Sequence, residues 1–259
     1  MCDRHKRQRR MSLGRLVAFM VLACLVFLPD GAALAAEKLR FGTASQPPFT
    51  RDADGAPGAL DALYSVIFGR LGLDVEIMKL PAERALINAN AGLDDGDAFR
   101  VAGLEKRYPN LVSVPESVFS VEFVLITREG AGGDLDWAAL EGRSVGIING
   151  WKIAESNLAG VANLTRVSTP RQLFELLQRG RVDFIVFTRQ AGHRYIRTET
   201  LKGLEIQKRP LARRDMYLYL NDKHADLAGR VAVVLRGMKA SGEYKAIIQR
   251  YLPEYFALN

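Results

Sequence analysis

Apolar and polar positions along this chain follow two alternating periods. Leu39-Arg40-Phe41-Gly42-Thr43 switches every second residue and ends on small residues, the mark of a short half-buried strand. Leu60, Leu63, Ile67 and Leu71 recur at intervals of three and four, which predicts an amphipathic helix stopped by Gly72. Val75 and Ile77 return to the two-residue period. Pro81 predicts the first residue of a helix with Ala82, Ala85, Leu86 and Ala89 on one face, ended by Gly92. Two strand-like runs follow, at 111–114 and 119–127.

After the turn Gly130-Ala131-Gly132-Gly133 the cycle repeats. Residues 144–148 read as a strand closed by Asn149-Gly150. Thr169-Pro170-Arg171-Gln172 has the form of a capping box with proline at the first helical position, and Leu173, Leu176 and Leu177 line the helix behind it. Strands are expected at 182–187 and, after 204–208, at 216–220. Leu227, Val231, Val234, Leu235 and Met238 predict a long helix, and Tyr244, Ile247, Ile248 and Tyr251 a last one before Pro253. Strands alternating with helices predict an α/β class with mostly parallel sheets. Two cycles divided near 127–133 predict two lobes, with the ligand crevice at the carboxyl ends of the strands.

Charge changes this picture less than it first promises. The 259 residues carry 36 Lys+Arg against 29 Asp+Glu, a net +7 that invites a nucleic-acid or membrane-surface partner. Six of the basic residues, Arg4 to Arg15, stand ahead of an apolar run at 16–28, which Pro29-Asp30-Gly31 breaks before Ala33-Leu34-Ala35. A basic head, a short apolar run and an A-x-A site describe a secretory leader over residues 1–35, with an uncleaved anchor as the alternative. Met11 opens a self-sufficient leader, so either Met1 or Met11 is the start. Cleavage after Ala35 leaves 224 residues with 30 basic against 27 acidic, which removes the bulk-charge case for nucleic acid. Both cysteines, Cys2 and Cys24, belong to the leader, so the exported chain has no disulfide or thiolate site unless Cys24 is a lipidation site.

Gly142-Arg143-Ser144-Val145-Gly146 matches the G-x-S-x-G elbow of serine hydrolases, with Asp183 and His193 or His224 in triad order. The elbow needs its serine at a sharp turn from strand into helix, whereas Ser144 opens a strand. No metal-ligand spacing, phosphate loop or dinucleotide fingerprint is present, so no cofactor and no metal is expected.

The candidate ligand residues sit at expected strand ends. Phe49, after Pro47-Pro48, forms either an apolar wall against a ligand or loop packing. Glu83 and Arg84 stand in the first turn after Pro81, where Arg84 is either a contact or a solvated surface partner. Asp97 and Arg100 lie where a strand is expected to end, and Arg100 has the planar fork that grips a carboxylate, with Arg107 as the fallback. Removing Arg100 is therefore expected to cost affinity and not stability. Asn149, Gly150 and Trp151 offer free backbone N–H groups and a stacking ring between strand and helix. Asp183 meets an amine or pairs with a neighbouring base, and Thr188 follows its strand at the carboxyl end.

Together these segments resemble the family 3 extracellular solute-binding proteins, periplasmic receptors of ABC importers for polar amino acids and related solutes. The likeness is carried by Leu39-Arg40-Phe41-Gly42-Thr43 with Pro47-Pro48-Phe49, and by Leu80-Pro81-Ala82-Glu83-Arg84-Ala85-Leu86. Asp95-Gly96 with Arg100 leading to Leu111-Val112-Ser113-Val114-Pro115 adds to it, as does the tail Gly237-Met238-Lys239-Ala240-Ser241-Gly242-Glu243-Tyr244. The resemblance implies a type II, Venus-flytrap fold with two hinge strands. It places lobe 1 at 36–126 and 216–259 and an inserted lobe 2 at 127–215. It also implies an exported monomer in the periplasm that binds a small polar solute, of amino-acid or organic-acid type, and works with an ABC permease or a membrane sensor. The family's Thr-x-x-Arg stretch is replaced here by Leu104-Glu105-Lys106-Arg107, so the solute is unassigned. An enzyme of the same fold, dehydratase-like with Glu83, Asp97 or Glu122 as its acid, is the alternative.

Overall fold

The computed structural model describes residues 38–131, 133–253 and 255; the expected leader lies outside them. Strand β1 (Lys38–Thr43) pairs in parallel with β2 (Asp74–Lys79) on one side and β3 (Gly96–Val101) on the other. Helix α1 (Ala59–Arg70) connects the first two strands and buries Leu60, Leu63, Tyr64, Ile67 and Phe68, the stripe its three- and four-residue spacing predicts. The Tyr64 hydroxyl donates to Ala98 O at 2.6 Å, so this helix is also tied to β3 by a buried polar bond. Helix α2 (Ala82–Asn90) covers the same sheet through Ala82, Ala85, Leu86 and Ala89. Pro81 stands one position earlier than expected, as the N-cap.

The second cycle follows β4 (Leu111–Ser113) and the long β5 (Phe119–Arg128). Strands β6 (Ser144–Ile148), β7 (Asn163–Val167) and β8 (Phe184–Thr188) form a parallel group, with α3 (Lys152–Asn157) between β6 and β7. Helix α4 (Pro170–Gln178) begins with the expected capping box: Thr169 Oγ accepts from the Gln172 N–H, and Gln172 reaches back to Thr169. Helix α5 (Arg189–Thr198) and β9 (Leu204–Ile206) lead to β10 (Ala212–Asn221), then α6 (Ala225–Ser241) and α7 (Glu243–Tyr251).

The ten strands run β2-β1-β3-β10-β5-β8-β6-β7, with β4 on β10 and β9 on β5. The two long antiparallel strands join the halves. Residues 212–216 of β10 pair with β5, and from Met216 onward β10 pairs with β3. Likewise β5 turns from β10 to β8 at Phe123. The chain therefore passes from one parallel group to the other through β5 and returns through β10.

Three local expectations are revised. Asp97 lies inside β3 rather than at its end, with Arg100 one residue short of that end; Gly96 lets the strand begin close against its neighbour β10, since a Cβ there would fall 2.1 Å from Tyr219 O. Strand β10 starts four residues before the apolar run, since its Ala212-Arg213-Arg214-Asp215 half is a bridge between the halves with little core to face. Strand β7 and helix α5 had no expected counterpart: β7 is a half-exposed edge and α5 is rich in polar residues.

Candidate functional site

The carboxyl ends of β1, β3, β6 and β8 converge on one cavity. It is lined by Ala44, Ser45 and Gln46 after β1, Arg100 and Val101 of β3, Gly150 to Ile153 after β6, and Phe187, Thr188 and Ala191 around the end of β8. Phe99, Leu104, Phe123 and Met216 complete it. Its volume is about 60 Å³, where one water needs roughly 10–15 Å³. The cavity thus has room for several water-sized groups.

Arg100 stands at its centre and is 7% exposed. Nε donates to Asp97 Oδ2 at 2.7 Å, Nη2 to Ala82 O at 2.6 Å, and Nη1 to Gly150 O at 3.3 Å. The expected carboxylate grip is therefore largely engaged by the protein itself. One strand side chain ties α2 to the loop after β6, across the cavity. Asp97 is wholly buried; burial raises its carboxyl pKa, and the adjacent Arg100 opposes that rise.

A second tie runs beside the first. Lys152 Nζ donates to Glu83 and, at 2.9 Å, to Glu155 Oε2, while the Tyr108 hydroxyl donates to Glu83 Oε1 at 3.0 Å. Burial raises Glu83, but hydrogen bonding and charge from Lys152, with Tyr108 and Arg107, outweigh it and hold the carboxyl below its ordinary value. The loop between these ties needs glycine at 150. Its φ is +86°, and a Cβ would fall 2.5 Å from Glu83 N and 2.9 Å from Ala82 C.

The structure brings together Glu83, Asp97, Arg100, Gly150, Trp151 and Thr188, of which Arg100, Gly150, Trp151 and Thr188 line the cavity. Trp151 stacks on Phe187, ring centroids 5.2 Å apart, and meets Phe123 edge-on. Four expected residues stand elsewhere. Phe49 is 1% exposed and packs behind the wall, against Phe99 and Phe119. Arg84 is exposed on the outer side of α2, as is Asn149 after β6. Asp183 precedes β8, at the end of that strand remote from Thr188, and accepts from the Ser144 hydroxyl at 2.7 Å. The backbone donors expected after β6 are engaged too: Asn149 N–H by Val167 O, Gly150 N–H by Glu155, Trp151 N–H by Ile148 O. Arg107 lies exposed over the Tyr108 ring.

The residues missed from sequence are mainly apolar: Phe99, Phe123, Phe187, Leu104 and Met216, with Lys152. In one dimension each reads as core. Only its place at the end of a strand or on a crossing strand, next to the gap, sets it apart.

Ser144 and Asp183 clasp the starts of β6 and β8, His224 pairs with Asp95 at 2.8 Å, and His193 lies on α5 beyond the opposite end of β8, so the apparent triad is dispersed. Burial raises Glu122, but hydrogen bonds and charge from Arg213 and Arg189 outweigh it and hold the carboxyl low; Asp97 is raised but does not line the cavity. No cluster of His, Cys, Asp or Glu among the described residues holds a metal, and no described helix is long and apolar enough to cross a membrane.

No protein-family model and no curated protein matches the chain. Solved structures do. A mutant of ArgBP from T. maritima is 21% identical, covers 83% of this chain and 95% of its own, and superposes with TM-score 0.72. The arginine-, lysine-, histidine-binding protein ArtJ from Geobacillus stearothermophilus is 19% identical over 84% and 96%, TM-score 0.71. A histidine kinase sensor domain with similarity to periplasmic binding proteins is 22% identical over 84% and 96%, TM-score 0.71. The chain has the two-lobed periplasmic-binding-protein fold that the sequence resemblance implied.

Proposed function

We propose that this chain is an exported solute-binding protein of the family it resembles. It captures a small organic solute between lobe 1 (36–126 with 216–259) and lobe 2 (127–215), and presents the closed complex to an ABC permease. One observation carries the reading. The cavity is built from strand ends of both halves and is closed by direct bonds across it, Arg100 to Gly150 and Lys152 to Glu83. Such a cleft captures by closure, because ligand contacts made with both walls add to these bonds and shift the population further toward the closed state. Strands β5 and β10 are the connections about which closure would turn. Neighbours named for amino-acid binding support a small-solute role. The leader-like start supports the periplasm, and nothing in this reading requires catalysis, cofactor, nucleic acid or a second copy.

A thermal-shift screen of amino acids, organic acids, amines and neutral aromatics tests it. A ligand at a hundred times its Kd stabilises by about 2.7 kcal/mol. Silence across the whole screen, repeated by calorimetry, would remove the binding reading. A second reading, a receptor that presents its ligand to a membrane sensor, is favoured by the sensor domain of the same fold. An adjacent permease and ATPase gene pair decides for transport, an adjacent sensor kinase gene for signalling.

A further inference from the structure

Every charged side chain on the cavity wall already has its counter-charge within the protein. Arg100 is paired with the wholly buried Asp97, and Lys152 with both Glu83 and Glu155. Among the described residues no carboxylate lines the cavity, so an ammonium group entering it meets no partner. An entering carboxylate would compete with Asp97 and with two carbonyl oxygens for the Arg100 fork. Burying an ion without a compensating charge is strongly unfavourable, a penalty a zwitterion would meet twice. The remaining wall is Phe99, Phe123, Trp151, Phe187, Leu104 and Met216, with Ser45, Gln46 and Thr188 as the neutral polar groups. Aromatic walls of this kind favour a flat ring through area and edge-to-face contact.

Resting on the solute-binding reading above, we infer that the ligand is an uncharged aromatic molecule with one or two hydrogen-bonding substituents, rather than an amino acid or organic acid. Its ring replaces water against the Trp151–Phe187 stack and the Phe99 and Phe123 faces. Its polar substituent takes the hydroxyl, amide and remaining guanidinium donors.

Titration calorimetry with two matched series tests this on the purified protein: p-cresol, 4-hydroxyphenylacetate and tyrosine, then indole, indole-3-acetate and tryptophan. The neutral member of each series is expected to bind at least tenfold tighter than its acid and its amino acid. An acid or amino acid that binds as tightly as its neutral partner overturns the inference and leaves the solute-binding reading in place. No binding by any of the six also overturns it; the broader screen then decides the binding reading separately. Asp97→Asn provides an independent arm, because it releases the Arg100 charge toward the cavity. If the variant folds, the acids are expected to gain at least tenfold relative to the neutral members, and an unchanged ratio counts against charge compensation. If it does not fold, the wild-type series decide the matter alone.

Discussion

Arg100 on β3 donates to Gly150 O at 3.3 Å across the cleft while its Nε is held by Asp97 at 2.7 Å. One side chain is thus both the mate of a buried carboxylate and a tie between the cleft walls. Its two roles separate experimentally.

Arg100→Ala leaves the Asp97 carboxyl wholly buried without its counter-charge. Breaking a buried pair from one side costs about 3–5 kcal/mol, which for a chain of this size lowers Tm by roughly 6–20 °C. Differential scanning fluorimetry checks this. A variant that melts with the wild type but has lost ligand affinity would restore the sequence-based expectation of a pure ligand grip.

Glu83→Gln weakens the second tie. Hydrogen bonds to charged groups are worth about 1.5–3 kcal/mol, so the ligand-free protein should populate a more open form, read as a larger radius of gyration by small-angle scattering. The effect has a pH signature. Glu83 is held below its ordinary 4.5 in the folded protein. Its contribution is therefore complete above that value and is lost as pH falls through the lowered one. The stability gap between wild type and variant should narrow only on the acid side of 4.5; a gap that is unchanged down to pH values where the protein unfolds would contradict the assigned pair.

Gly150→Ala strains φ at +86° and sets a Cβ 2.5 Å from Glu83 N. The left-handed backbone alone costs roughly 1–2 kcal/mol, and the steric conflict with α2 adds to it in the closed state. Ligand affinity should fall about tenfold or more, mainly through faster release in stopped-flow measurements. Wild-type release rates in this variant would mean that the loop does not approach α2 on closure.

Ser144→Ala removes the hydroxyl that donates to Asp183 at 2.7 Å. A loss of about 0.5–1.5 kcal/mol is expected in denaturant unfolding, with ligand affinity unchanged. A large change in affinity, or abolition of a hydrolytic activity, would return the G-x-S-x-G serine to the functional site.

What was legible in the sequence is what local patterning can encode. The stripe of α1, the capping box of α4, the strands β1, β6 and β8 and the α/β alternation all follow from residues a few positions apart. The position of Arg100, Gly150, Trp151 and Thr188 on the cavity wall was legible too, because crevices open at the carboxyl ends of such strands. Of the two expectations for Asp183 the structure shows the pairing with a base, Arg128 at 3.8 Å, because Asp183 stands at the start of β8 and Thr188 at its end. For Phe49 the packing alternative holds, since it lies one layer behind the wall against Phe99 and Phe119.

By itself, the sequence determined the class of fold and which strand ends would meet, since hydrophobic period and turn chemistry act over short distances. Only the tertiary structure decided how the charges are shared. Asp97 and Arg100 are neighbours on one strand, but Glu83 and Lys152 lie 69 positions apart and Arg100 and Gly150 lie 50 apart. Whether a guanidinium is open to a ligand depends on what folds against it. Here a carboxylate and two carbonyl oxygens do, and they turn the expected carboxylate grip into part of the wall.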